Sequence, residues 1–138
     1  MSSTAIFWPL IVQTILIYVV YLLVVTRRVK SVKEGKARAS DFKIPTMEPE
    51  PSATAARNLI NQFELPLLFY VVCILLHLVN AVSYLVLVLA WLFVITRIVH
   101  MAVHTTSNKV RIRRPIFVLG FVVNGLLWIY LAWKLATA

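Results

Sequence analysis

Two groups of polar residues in this chain have the types and spacing to do chemistry. The first is Arg57, Asn61 and Glu64. At about 100° per residue, a continuous helix places all three within about 60° of one another. Neighbours in the group stand one turn apart. Two readings fit: an interfacial charge pair that closes a helix end, or a binding site. The second group is Arg97, His100, His104, Ser107, Asn108 and Arg111. If the helix continues that far, His100, His104 and Arg111 lie within about 60° of Arg97. His100 and His104 at four-residue spacing could ligate a metal. No third ligand of the HExxH kind accompanies them, and the neighbouring arginines repel a cation, so no metal is expected. A face rich in Arg and His suits a multiply charged anion better, because guanidinium holds carboxylates in a bidentate fork.

The elements that carry these groups follow from composition. Of 138 residues, 61% are hydrophobic and 14% charged. Soluble domains have about 45–50% apolar and about 25% charged residues. A chain this short cannot bury so much apolar surface in one aqueous core. The expected class is therefore an all-α integral membrane four-helix bundle in a single domain over residues 1–138. Residues 1–26 carry no charged side chain. The run 5–26 is long enough to cross about 30 Å of hydrocarbon at about 1.5 Å per residue. It has neither a basic segment before it nor a small-residue cleavage site after it, which argues against a removable signal peptide. Residues 65–96 are also uncharged, but 32 residues exceed one ordinary span. Asn80 and Ser83 supply a turn and a cap, which divides this region into spans at about 52–79 and 83–104. Residues 115–133 form the fourth.

Between the first two spans, residues 27–51 hold seven basic residues. Three prolines within Ile44–Pro51 are expected to forbid a regular helix there, with Ser52 as N-cap of the second helix. Pro66 is expected to bend that helix just beyond Glu64.

The chain has 14 Lys+Arg against 5 Asp+Glu, a net charge of +9. In a soluble protein this would suggest nucleic acid. Here 13 of the 14 basic residues fall in or beside the first and third connections. The positive-inside rule then makes loops 27–51 and 105–114 cytoplasmic and both termini non-cytoplasmic. Phe7, Trp8, Tyr84, Trp128, Tyr130 and Trp133 lie near the non-cytoplasmic ends, as an interfacial belt would. The charge thus reports topology and contact with the lipid bilayer, with no nucleic-acid partner.

The remaining polar positions read as structural. Cys73 is the only cysteine; it lies in apolar sequence with nothing to activate its thiol. His77 reads as a packed or interfacial histidine and Gln13 as a bundle hydrogen bond. Gly120 and Gly125 are five apart, not the four of a GxxxG face.

Arg57-x-x-x-Asn61-x-x-Glu64, followed by Pro66 and a long apolar run, resembles the second-helix signature of the membrane-associated proteins in eicosanoid and glutathione metabolism, the MAPEG family. The segment Arg97-x-x-His100-x-x-x-His104-Thr105-Thr106-Ser107-Asn108-Lys109-Val110-Arg111, ahead of Pro115, also resembles that family. So do the length, the four spans, the basic first loop and the short second turn.

The resemblance implies a homotrimer with active sites between neighbouring subunits near the cytoplasmic face. It implies glutathione, or a related low-molecular-weight thiol, as cofactor and lipophilic small molecules as substrates. Carried over by motif, Glu64 takes the tripeptide's amino group, and Arg57 and Asn61 add polar contacts. Arg28, beside Arg27, matches a basic pair that binds a carboxylate. Arg97, His100 and His104 fall at cofactor-binding positions; the well-understood synthases tend to carry tyrosines where His100 and His104 stand. Arg111 matches the arginine that stabilises the thiolate. A site for glutathione needs several cations and one anion, and a cation beside the sulfur favours the nucleophilic thiolate.

The expected function is therefore a glutathione S-transferase-like or peroxidase-like membrane enzyme acting on lipophilic electrophiles. The alternatives are a non-catalytic scaffold or lipid-binding protein of the same fold, or a small multidrug transporter. The transporter reading lacks the carboxylate such proteins keep in their first span.

Overall fold

The computed structural model describes residues 2–43 and 48–137. Of the proline-containing stretch, residues 44–47 lie outside them. The described residues form five α-helices and two short 3-10 turns, with no strand among them. α1 is Phe7–Lys33, α2 Glu50–Asn61, α3 Leu65–Leu78, α4 Tyr84–Thr105 and α5 Val110–Ala136. Together they give four stretches long and apolar enough to cross a membrane, with α2 and α3 forming one of them.

Three helix ends differ from the sequence expectation, each for a local reason. α1 runs on to Lys33, well past residue 26. Lys30 and Lys33 sit in its last turn, where cations oppose the helix dipole favourably. It stops at a Schellman motif: Gly35 has φ +69°, and its N–H and that of Lys36 close back on Val32 O (3.0 Å) and Ser31 O (2.9 Å). α2 starts at Glu50, before Ser52, because a proline is tolerated in the first turn, where its missing N–H costs nothing. Its N-cap is Pro49, and Ser52 Oγ donates to Pro49 O (3.1 Å) instead of capping a backbone N–H. α5 starts at Val110 and contains Pro115. The carbonyl that proline leaves unpaired belongs to Arg111, in the exposed first turn, so the helix continues through it.

The largest difference is at Pro66. The helix does not merely bend there; it breaks. A proline ring clashes with the carbonyl four residues back, here that of Gln62. Accordingly α2 ends at Asn61, and α3 restarts at Leu65 with Glu64 as its N-cap at φ −90°, ψ −91°.

Long-range bonds show how the helices are arranged. Arg27 donates to Thr54 Oγ1 (2.9 Å) and to the Thr105 carbonyl, gathering the end of α1, the start of α2 and the end of α4. At the opposite end, His77 Nδ1 meets Ser3 O (3.3 Å), and Tyr130 OH donates to Ser83 Oγ (3.4 Å). The Asn80 turn between α3 and α4 is a second Schellman motif, with Asn80 at φ 54°. Ser83 Oγ then caps α4 by accepting from Val86 N (3.3 Å).

The core lies among α3, α4 and α5 with the start of α1. Phe69 and Phe93 stack there at 4.2 Å between centroids. A smaller cluster of Val20, Val24 and Ala55 joins α1 to α2. Large apolar side chains also cover the outside: Leu22, Tyr18, Val88 and Ile129 are more than half exposed. An outer surface of this kind suits lipid, which pays no penalty for it.

α4 and α5 approach closely at Gly120. A Cβ built there would stand 2.7 Å from Thr96 Oγ1, whose hydroxyl is held by the Phe93 carbonyl at 2.6 Å. Gly120→Ala is expected to cost about 1–3 kcal/mol through overpacking, and Thr96→Ala added to it to recover much of the loss. Gly125→Ala, which meets nothing within 4 Å, is expected to stay within about 0.5 kcal/mol. Reversible unfolding in detergent measures all three; equal effects at the two glycines would refute the close approach.

Candidate functional site

The polar residues near the Arg27 end form two neighbouring groups rather than one. The first lies between α1 and α2, in a cavity of about 350 Å³ whose apolar wall includes Tyr21, Val25 and Ile60. Its polar lining is Arg28, Glu48 and Arg57. Arg28 grips Glu48 with both arms of the guanidinium, Nε to Oε1 at 3.0 Å and Nη2 to Oε2 at 2.6 Å. The Glu48 side chain is only 5% exposed. Burial pushes its carboxyl up, but the hydrogen bonds and charge of Arg28 outweigh that and hold it below the usual carboxylate range. Arg57 remains exposed on the same cavity.

The second group is buried where α2, α4 and α5 meet. A chain of side-chain amides crosses the bundle. Gln13 Nε2 donates to Gln62 Oε1 (2.9 Å), and Gln62 Nε2 donates to Asn58 Oδ1 (3.2 Å). Asn58 Nδ2 meets His104 Nδ1 at 3.2 Å, and Asn61 Nδ2 reaches the same nitrogen at 3.5 Å. One turn up α4, His100 packs edge-on against His104, 5.5 Å between centroids. Arg97 Nη2 donates to His100 Nδ1 at 3.1 Å. Arg97 is fully buried, and its guanidinium lies 5.4 Å from the centre of the Phe117 ring. Its Nε and Nη1 have no partner among the described residues. Beside this cluster is a cavity of about 320 Å³, lined by Asn61, His100, Val110, Arg113, Arg114 and Phe117. Arg113 acts electrostatically on both imidazoles.

The structure thus sorts the residues singled out in the sequence. Asn61, Arg97, His100 and His104 come together. Arg28 and Arg57 share the neighbouring cavity, with Arg28 already paired to Glu48. Glu64 is exposed and forms no ion pair among the described residues. The break at Gln62–Glu64 removes it from the α2 face that carries Arg57 and Asn61. Arg111 does not share a helix with Arg97: α4 ends at Thr105, and Arg111 lies exposed in the first turn of α5, lining neither cavity.

Sequence reasoning missed Glu48, Asn58, Gln62, Arg113 and Arg114. Three amides within five residues, Asn58, Asn61 and Gln62, were a visible signal. So was the Arg113–Arg114 pair directly before Pro115. Only the change of helix after Thr105 turns Arg113 to the cavity and leaves Arg111 outside it.

The pairing of Glu48 predicts a pH response. Its carboxyl is held low by folding, so its contribution is complete above the unfolded carboxylate pKa. It is lost as pH falls through the lower folded value. Glu48→Gln is expected to lose about 1 kcal/mol at neutral pH, a figure typical of a partly exposed, well-formed ion pair. The wild type is expected to converge on the variant under acid. Denaturant titrations of both at a series of pH values check this, and a constant gap down to acid pH would contradict it.

A family model described as the MAPEG family matches residues 5–133, a range that covers the second and third spanning stretches whole and nearly all of the first and last. No curated protein matches the chain, and no solved structure does. The four long apolar stretches and this match over nearly the full length agree, and the chain is an integral, multi-pass membrane protein that belongs to the MAPEG family.

Proposed function

We propose that the protein is a membrane-bound, glutathione-dependent transferase or peroxidase-like enzyme that acts on lipophilic electrophiles. In this reading it works as a homotrimer with the Arg27 end of the bundle facing the cytoplasm. The observation that carries the reading is the cavity where Asn61, His100, Arg113 and Arg114 converge beside the buried Arg97. That is an excess of cations and neutral polar groups around a space of small-ligand size. It suits a ligand with two carboxylates and an ionisable thiol.

In this assignment Asn61 and His100 contact the tripeptide, and Arg57, on the neighbouring cavity, and the exposed Glu64 bind its charged ends only where the ligand extends beyond the cavity that Asn61 and His100 line. His104 orders Asn61 through the bond at its Nδ1. Arg28 contributes a carboxylate contact only when Glu48 yields it. We assign the thiolate to Arg113, which lines the cavity, whereas Arg111 is exposed within the protomer and serves at most a neighbouring one. The chemistry is simple. The thiol proton leaves to water, the guanidinium charge stabilises the sulfur anion, and the sulfur lone pair forms a C–S bond to the electrophile. The electron pair displaced from the electrophile takes a proton or departs with a leaving group.

The test is a calorimetric titration of purified, detergent-solubilised protein with glutathione, followed by conjugation assays with several lipophilic electrophiles. Arg113→Ala is expected to lower kcat/KM by about 10²-fold or more, the usual cost of removing one preorganised charge-stabilising group. Arg111→Ala is expected to have a smaller effect. Absence of both binding and conjugation in an intact oligomer would reject the enzyme in favour of a scaffold or lipid-binding role. A larger loss in Arg111→Ala than in Arg113→Ala would move the thiolate to Arg111.

A further inference from the structure

The buried Arg97 has a definite effect on the residue beside it. Guanidinium carries five N–H donors and no acceptor. Its 3.1 Å contact with His100 Nδ1 therefore has only one direction, and Nδ1 must accept. An imidazole whose Nδ1 accepts is neutral and carries its proton on Nε2. That nitrogen makes no hydrogen bond among the described residues, yet it is not among the sealed, unpartnered atoms of the interior. It is therefore not wholly sealed, and the space that His100 lines is the cavity shared with Asn61, Arg113 and Phe117. The neighbouring ring is held the same way. The amide chain runs with one polarity, Gln13 to Gln62 to Asn58, and ends by donating to His104 Nδ1.

We infer that Arg97 is a positioning residue that fixes His100 as a neutral Nε2–H donor to whatever occupies the cavity. This rests on the functional reading above for the identity of the occupant, but not for the tautomer itself. His100 then serves as a fixed hydrogen-bond donor to a ligand's sulfur or carboxylate oxygen. It neither removes a proton at Nδ1 nor binds a metal there, because that lone pair is engaged. The role also accounts for a buried cation with no carboxylate within ion-pair distance among the described residues. A carboxylate in Arg97's place would accept from Nδ1–H and select the opposite tautomer. The polar groups of other segments that act here, Arg113 of α5, Glu64 between α2 and α3, whose charge acts on Arg97, and the Asn58–Asn61 amides of α2, leave this assignment unchanged. The arginine is another pure donor, and the amides engage His104.

The experiment is ¹⁵N magnetic resonance of the full-length protein, labelled in its histidine rings and held in lipid nanodiscs. His77→Gln and His104→Gln assign the three rings. In an imidazole, Nε2 couples to both ring C–H protons and Nδ1 strongly to only one, so the protonated nitrogen identifies itself. The expected result is Nε2–H with a bare Nδ1 on His100 and, in Arg97→Met, a mixture of tautomers. An Nδ1–H or doubly protonated His100 in the wild type overturns the inference, with no ligand needed.

The functional arm compares His100→Gln with His100→Asn for glutathione affinity. The Gln amide nitrogen can occupy the place of Nε2, whereas that of Asn falls short of it. The expectation is near-wild-type binding for Gln and a loss of about tenfold or more for Asn, the worth of one hydrogen bond to a charged group. Equal losses in both, in a protein whose wild type binds, overturn the donor role. A wild type that binds no glutathione rejects the functional reading, and the tautomer measurement then decides this inference alone.

Discussion

A fully buried guanidinium with no carboxylate against it is the constraint around which this bundle is organised. An uncompensated charge in a low-dielectric interior is costly, and within a membrane span such residues face the bundle interior or a wet cavity. Arg97 meets that cost in pieces. One donor goes to His100, and the face of Phe117 lies within cation–π range of the guanidinium. The 320 Å³ cavity alongside brings Asn61 and His100 within reach of a polar occupant. Close approach of α5 at Gly120 completes the enclosure, since Arg97 Cδ lies 3.9 Å from where a Cβ would stand. Packing and chemistry therefore meet at the same place on α4, and neither is separable from the other.

The break at Pro66 plays a comparable part for the second span. A straight helix from Glu50 to Leu78 would keep its amides in the helical ladder and its side chains in a fixed spiral. Gln62, still in αR conformation with its N–H on the Asn58 carbonyl, bridges Gln13 on α1 to Asn58 one turn back, and the spiral ends beyond it, which takes Glu64 off that face. Asn58 and Asn61 then both reach His104 on α4. Three helices are joined through buried amides whose polar groups are nearly all paired, with Gln13 Oε1 left over. Networks of this kind are rigid when satisfied, and this one orders the residues beside the cavity.

What could be read from the sequence divides along the same line. The four apolar stretches were legible, because hydrocarbon thickness imposes length and composition directly. Helix-face arithmetic also worked along α4: Arg97, His100 and His104 do share one buried face. It misled wherever a helix ends. Glu64 lies past the proline break and Arg111 past the Thr105–Val110 connection, so the angle of about 100° per residue no longer applied to either. Proline was in view in the first case, but whether it bends or breaks a helix depends on what the freed carbonyl can find. Pro115, inside α5, shows the milder outcome. The Arg28–Glu48 pair was beyond reach for another reason, since its two residues are brought together only when the first loop folds back.

Arg28 and Arg97 show why charge counting alone gave an incomplete picture. Both contribute equally to the net charge of +9. Arg28 stands at the edge of the apolar region, half-buried, with both arms on a carboxylate. Its charge is cancelled locally, and a ligand must compete with Glu48 to use it. Arg97 is sealed in the bundle and paired to a neutral ring. Its charge has no ion-pair partner among the described residues, with the Glu64 carboxylate acting on it only from beyond ion-pair distance; it acts on His100 and His104 together, and it leaves Nε and Nη1 with donors to spare. A cation in the second position polarises its surroundings far more than one in the first, because little water screens it. The arginines whose charge is cancelled locally and those whose charge acts inside the bundle are therefore distinct sets, which the net charge does not separate. Burial and local pairing, rather than position along the chain, decide to which set each arginine belongs.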